Sequence, residues 1–459
     1  MLLNFSVENS LSFRGLQRFT MVRNGGIGAN DVWRHPRVSP LAAVFGGNAS
    51  GKSNFLRCLR FFSNFVANSF RRGDSASGTG LIPFLLDNES EERPATFFAE
   101  FIAGDGNRYQ YWFSLTQSRI TEEVLWLYKS ATNRKTVLFE RELGKPTRFG
   151  TAIGSSGKLV EKITRTNALL LSAAAASGID VVQLAYDEIT KAIIGHGSVS
   201  FNDQFGPMVH TLQQNPALAT EVADLMKYAD LGITAVDFRE ENIPVDQEEK
   251  LLSFASALAD ISGDSTQNNA ETAMGQSSQP SHFRIPHISF SHSGHEVTKQ
   301  FSEQWESDGT KNALLLFLWV IQSLTKPSVM MIDEIDTSLS TSLLSDILDL
   351  YRDPRTNPHQ SQLIFTTHDL SLINAAGADR RLLDRDQIWF VTKGDSGESS
   401  LHPLTEWESR NVNFAKNYQH NVYAPLPQPS LHETVARICR ERADRESGSS
   451  HAADSDNGK

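Results

Sequence analysis

The segment Gly46-Gly47-Asn48-Ala49-Ser50-Gly51-Lys52-Ser53 has the spacing Gly-x4-Gly-Lys-Ser. Glycines at these positions let successive backbone N–H groups curl inward around phosphate oxygens. Lys52 carries a mobile positive charge suited to β- and γ-phosphates, and Ser53 offers a hydroxyl to a magnesium ion. Asn54 follows inside the first turn of an expected helix, whose N-terminus adds partial positive charge. These residue types in this order imply a site for ATP with Mg2+. A chance glycine-rich turn would lack a strand before it and a helix after it. Here the apolar run Leu41-Ala-Ala-Val-Phe45 precedes the loop and a helical pattern starts near Lys52.

A second constellation lies far along the chain. Val329-Met-Met-Ile-Asp333-Glu334 is an apolar run closed by two carboxylates. A buried parallel strand ends this way when its C-terminal edge faces a nucleotide. Asp333 is then placed for the magnesium shell and Glu334 for polarising an attacking water. The alternative, two solvated acids capping a strand, loses ground once a phosphate loop sits in the same chain. Gln362-Leu-Ile-Phe-Thr-Thr-His368 is a further apolar strand ending in histidine, suited to a γ-phosphate or the attacking water. Glu306-Ser307-Asp308-Gly309-Thr310 opens a helix. Read alone it is a capped helix start, with Ser307 or Asp308 as the cap; donors at a helix N-terminus also suit a phosphate.

These groups need elements to hold them. Residues 1–60 read as short strands, then the loop, then a helix. Residues 94–142 alternate apolar and polar, with Asp105-Gly106 as a hairpin turn, so an antiparallel sheet is expected. Residues 160–260 read as mostly helical, around Asp180–Ile194, Pro216–Ala229 and Gln247–Ile261. Ser262–Ser281 reads as a flexible linker. Strand patterns return from Phe283, followed by a helix over Thr310–Leu324, strands over Ser328–Ile332 and Gln362–Phe365, and a helix over Thr337–Tyr351. The fold class expected is α/β: a P-loop head of mixed sheet with an antiparallel β subdomain and a largely helical insertion. Residues 1–150 and 283–428 form the two parts of the head, 151–282 the insertion and linker, and 429–459 a polar, disordered tail.

Composition bounds the rest. The chain has 459 residues, 39% hydrophobic and 21% charged, with a net charge of −11. That is the range of a globular protein and argues against a broadly basic nucleic-acid binder. The longest apolar stretch, Ala313–Ile321, is far shorter than a bilayer requires. Met1-Leu-Leu-Asn-Phe-Ser reads as a strand, not a signal peptide. Two cysteines, Cys58 and Cys439, support neither a disulfide framework nor a zinc site, in keeping with the cytoplasm.

The order of motifs (phosphate loop, long insertion, Ser-Asp-Gly-Thr, Asp-Glu, His) resembles the ABC-type ATPase head shared by transporters, SMC and RecF proteins. The resemblance implies that Ser307 and Gly309 act in trans on the γ-phosphate held by a facing subunit. It also implies that Thr337-Ser-Leu-Ser340 forms the D-loop at a dimer interface. More closely, Met1–Phe13, Ile82-Pro-Phe-Leu-Leu-Asp87, Ala229–Ile233, Trp305–Lys311, Asp386–Phe390 and Asn417–Tyr423 are similar to RloA-like ATPases. Those are related to the ATPase half of OLD nucleases and to the ATPases of anti-phage systems of the AbiL and PARIS types. A homo-oligomer, at least a dimer through its ATP sites, is therefore expected, with a separate effector encoded nearby and a phage-derived trigger. OLD proteins append a Toprim nuclease; here Asp384-Arg-Asp386 alone could mimic its acids, and reads better as a charged turn. Two readings compete: an ATPase controlling a toxic effector, and a RecF- or SMC-like DNA-engaging ATPase of repair. Contact with DNA stays open, and no membrane partner is expected.

Overall fold

The computed structural model describes residues 1–23, 38–71, 74, 76–198, 201–228, 232–242, 284–337, 339–373 and 382–406, with 435 and 438. The expected helix over Gln247–Ile261, the linker Ser262–Ser281 and nearly all of the tail lie outside them, as does Asn417–Tyr423.

The site-bearing sheet is built from strands that are buried on both faces. β3 (Leu41–Phe45), β13 (Val329–Asp333), β14 (Gln362–Thr367) and β15 (Ile388–Lys393) run parallel. β9 (Ile193–Ser198) and β16 (Ser399–Pro403) close its edges, giving the order β16-β15-β3-β14-β13-β9. Successive side chains of a strand point to opposite faces, and here each face has its own core. Ala42, Val44, Val329, Met331, Ile364, Trp389 and Val391 enter one cluster; Leu41, Ala43, Phe45, Met330, Ile332, Leu363, Phe365 and Phe390 enter the other. This is why the sequence shows unbroken apolar runs where a one-faced strand would alternate.

The first core is filled by α1 (Lys52–Asn68) and a seven-stranded antiparallel sheet. That sheet has the order β2-β1-β4-β5-β6-β7-β8, from β1 (Leu2–Glu8), β2 (Gln17–Thr20), β4 (Ala95–Ile102), β5 (Arg108–Leu115), β6 (Ile120–Tyr128), β7 (Lys135–Glu142) and β8 (Arg148–Phe149). Phe62 of α1 stacks on Phe113 at 5.5 Å and meets Phe5 edge-on at 5.8 Å. The Asp105-Gly106 turn forms as expected, with Gly106 at φ 72°, a left-handed conformation that suits glycine.

Between the two halves run α2 (Ser156–Ile163), α3 (Leu170–Ala176), α4 (Asp180–Asp187), α5 (Phe201–Gln214) and α6 (Pro216–Tyr228). The structure departs here from the helical expectation in two places. The helix expected to reach Ile194 gives way, after a π-helical turn over Glu188–Ala192, to β9, which pairs with β13. β10 (Ile233–Asn242), inside the stretch read as mostly helical, pairs with β11 (Arg284–Ser293), and β11 with β12 (Thr298–Ser302), these last two where strand patterns were expected to return. Tertiary pairing overrides local propensity in both places. α7 (Asp308–Leu324) is buried from Ala313 to Val320, which explains the apolar run. No described helix is long and apolar enough to cross a membrane. α8 (Thr341–Arg352) packs its Leu344, Ile347 and Leu348 into the second core.

One buried charge ties the antiparallel sheet to the helices. The Glu123 carboxylate on β6 accepts from the backbone N–H groups of Leu170 (2.6 Å) and Leu171 (2.9 Å) and from the Tyr111 hydroxyl (2.9 Å), with Arg141 at 3.4 Å. Burial pushes its pKa up, while Arg141 and these donors oppose the rise. Losing a buried partner of this kind costs on the order of 3–5 kcal/mol. Glu123→Ala is expected to lower the urea unfolding midpoint clearly, with Glu123→Gln between it and the parent. An unchanged midpoint for the alanine variant would show that the carboxylate does not hold α3.

Candidate nucleotide site

Register decides what meets at the edge of the sheet. Thr367 lies opposite Phe45, and Ile332 opposite Phe365. The C-terminal ends of β3, β14 and β13 therefore coincide, and the chain leaves them through Gly46, His368 and Asp333-Glu334. β14 separates the other two strands and joins them chemically. Its Thr366 hydroxyl donates to Asp333 Oδ1 at 2.6 Å and accepts from the Glu334 backbone N–H at 2.7 Å. Glu334 sits at φ 51°, a conformation that costs a non-glycine residue about 1–2 kcal/mol. The two bonds to β14 and the Ile335 N–H on Thr366 O (3.1 Å) hold the chain through this kink.

The loop is tight for steric reasons. A Cβ on Gly46 would lie 2.6 Å from Val391 O, and one on Gly51 would lie 2.3 Å from Ser399 Oγ. Gly51 also has φ 114°. Ser399 Oγ donates to Ser50 O at 2.6 Å and shares a hydrogen bond with Ser12 Oγ at 2.8 Å, and Asn54 Nδ2 donates to Ser12 Oγ at 2.9 Å. Asn48 and Ala49 are exposed at the tip, Gly47 half-buried, and Ser53 lies in the first turn of α1.

Lys52 is 5% exposed, and its ammonium donates to Gly46 O at 2.9 Å and Gly47 O at 3.2 Å. Burial lowers its pKa, and Glu334, Asp333 and Asp336 act against that. His368 Nε2 lies 3.9 Å from Glu334 Oε1. Burial and then Lys52 hold the imidazole below its usual pKa, against Asp336, Glu334 and Asp333, which disfavours its charged form. The fold thus brings Lys52, Asp333, Glu334 and His368 to one place.

Ser307 caps α7: its Oγ accepts from Thr310 N at 3.1 Å and pairs with Thr310 Oγ1 at 2.9 Å, and among the described residues neither Ser307 nor Gly309 is hydrogen-bonded to Lys52, Asp333, Glu334 or His368. Ser340 likewise caps α8 through Leu343 N at 3.3 Å, and Ser338 lies outside the described residues. Asp384 and Gln387 form a capping box on a short 3-10 turn, and Arg23 lies 3.4 Å from Asp384. Both observations bear on the acids of that turn as structural groups.

The residues present fit a magnesium nucleotide. Among the described residues no three His, Cys, Asp or Glu side chains cluster to hold a metal by themselves. What is offered is one hydroxyl, Ser53, and one carboxylate, Asp333, and Mg2+ takes such sparse protein ligation when phosphates supply the rest. Ser50 Oγ is buried with no hydrogen-bond partner among the described groups, a polar atom left over at the loop. Motif reading missed Thr366, Asp336, Ser12 and Ser399. Thr366 stood inside a quoted strand end as a polar residue in an apolar run, and Asp336 lies two residues beyond the quoted Asp333-Glu334 pair. The serines gave no local signal, because only the tertiary fold brings them to the loop.

Comparison with known proteins places residues 41–374, from the loop strand past His368, in the family described as "AAA domain, putative AbiEii toxin, Type IV TA system". Among curated proteins no match is found. Solved structures that resemble the chain include that of the recombination mediator protein RecF-ATPrS in the RecFOR pathway, at 11% identity and TM-score 0.37, covering 87% of this chain and 98% of that one. The RecF-ATP structure of the same pathway aligns at 13% identity and TM-score 0.36, covering 87% and 97%. At those values the likeness decides nothing about chemistry.

The crowding at Gly51 has a direct consequence. Gly51→Ala is expected to weaken ATP binding at least about tenfold in calorimetry, since both φ and the Ser399 contact forbid the methyl group. Ala49→Gly, at a position with φ 59°, is expected to leave binding intact. Equal affinity in the Gly51 variant would mean that the loop adopts another shape when loaded.

Proposed function

This chain belongs to that AAA-domain family, and from this premise we propose that it binds and hydrolyses ATP with Mg2+ at interfaces between its own copies. The observation that carries the reading is the convergence of Lys52, Asp333, Glu334 and His368, held together by Thr366. Backbone N–H groups of Gly46–Gly51 and the start of α1 face the phosphates. Lys52 leaves the carbonyls of Gly46 and Gly47 for the β- and γ-phosphates. Ser53 and Asp333 would hold the ion, which supplies charge neutralisation at the phosphates. Glu334 takes the proton of the attacking water, and His368 donates a hydrogen bond to the γ-phosphate or accepts one from that water.

Ser307 and Gly309 complete the site from a second subunit. The exposure of Ser307 at the start of α7, a helix N-terminus of the kind that suits a phosphate, supports that role. The ABC-type order of motifs supports it as well. In this reading the chain is an RloA-like, cytoplasmic sensor and scaffold, and ATP-driven assembly controls a separate toxic effector in anti-phage defence. The toxin–antitoxin wording of its family supports that context.

Lys52→Ala is expected to abolish ATP binding. Glu334→Gln is expected to keep ATP affinity within about threefold and lose about 10²–10⁴ in turnover, the usual contribution of a general base. Calorimetry and phosphate release measure both. Normal turnover in the glutamine variant would remove Glu334 from its role, and full biological activity of Lys52→Ala would remove ATP from the function.

A further inference from the structure

A third carboxylate stands in the site without a role in that reading. Asp336 follows the kink at Glu334, and its Oδ2 accepts from the His368 backbone N–H at 3.3 Å. Its Oδ1 is buried and has no hydrogen-bond partner among the described groups. Asp336 is close enough to act electrostatically on both Lys52 and His368. Five residues beyond Asp336, the Thr341 hydroxyl at the head of α8 donates to Oδ2 of Asp369, the residue after His368, at 3.0 Å. The segments that follow β13 and β14 are therefore strapped together at two adjacent residues, His368 and Asp369.

Asp336 is half-buried beside Glu334 and Asp333, and a carboxylate with one oxygen buried and unsatisfied calls for an explanation. What it does supply is an acceptor where the peptide after β14 must be fixed. The imidazole of His368 is carried on that peptide, and Glu334 is carried on the strand end that Asp336 follows. We propose that Asp336 is a positioning residue of the nucleotide site, whose carboxylate holds the His368 turn in register with the end of β13 so that His368 and Glu334 close on one point. The proposal rests on the ATPase reading above. A displacement of about 1 Å between such groups costs on the order of 10²-fold in rate while leaving ground-state contacts largely intact.

The test compares Asp336→Ala and Asp336→Asn with the parent and with Glu334→Gln, measuring ATP affinity by calorimetry and turnover by phosphate release. The alanine variant is expected to keep affinity within about threefold and lose about 10- to 100-fold in turnover. The asparagine variant, which keeps an acceptor oxygen, is expected to recover most of that loss. Alanine turnover within twofold of the parent overturns the proposal, as does an asparagine variant as inactive as alanine. Equal losses of affinity and turnover also overturn it, since they mark a structural or ligand-binding role. If the parent itself neither binds nor hydrolyses ATP, the ATPase reading falls; if Glu334→Gln loses turnover while Asp336→Ala does not, the positioning role alone falls.

Discussion

An ammonium group is costly to remove from water unless charge and hydrogen bonds replace what the solvent gave. Lys52 is buried at the head of α1, and much of the architecture follows from keeping it charged there. Two carbonyls of its own loop accept from it, and three carboxylates lie within electrostatic reach. Those acids come from a strand that is not the loop's neighbour. Only an intervening β14, registered so that three strand ends coincide, can bring them round, and Thr366 is the atom-level hinge of that arrangement. The two cores on the faces of the sheet hold the strands in this order, and a shift by one residue would turn every side chain to the wrong core.

Much of this was legible in the sequence because the strands are buried on both faces. Leu41–Phe45, Val329–Asp333 and Gln362–Thr367 had to be apolar throughout, so their polar ends stood out, and the polar ends are the site. The helices over Pro216–Tyr228 and Asp308–Leu324 were legible from their periodicity and from the cap at Ser307. What escaped were features set by distant partners. Ile193–Ser198 is a strand because β13 offers it an edge, and nothing in Ile-Ile-Gly-His-Gly-Ser announces that edge. Ser12 and Ser399 brace the phosphate loop from opposite ends of the chain, and a serine carries no signature of such a duty.

The geometry also separates two halves of the proposed chemistry. Lys52, Asp333, Glu334 and His368 meet at one sheet edge, while Ser307 and Gly309 stand at the head of α7, where Ser307 caps its own helix. On the proposed reading a second copy would associate only when nucleotide is present, its phosphates supplying the negative charge that an exposed helix N-terminus lacks, and that association would hold or release the proposed effector.

Turnover of a one-to-one mixture of Lys52→Ala and Ser307→Arg proteins tests the composite site most directly. Each variant alone spoils one half of every site, and a mixed pair restores one complete site. The account predicts two inactive proteins whose mixture regains ATP hydrolysis. A Ser307→Arg protein as active as the parent, or a mixture no more active than its parts, would contradict it.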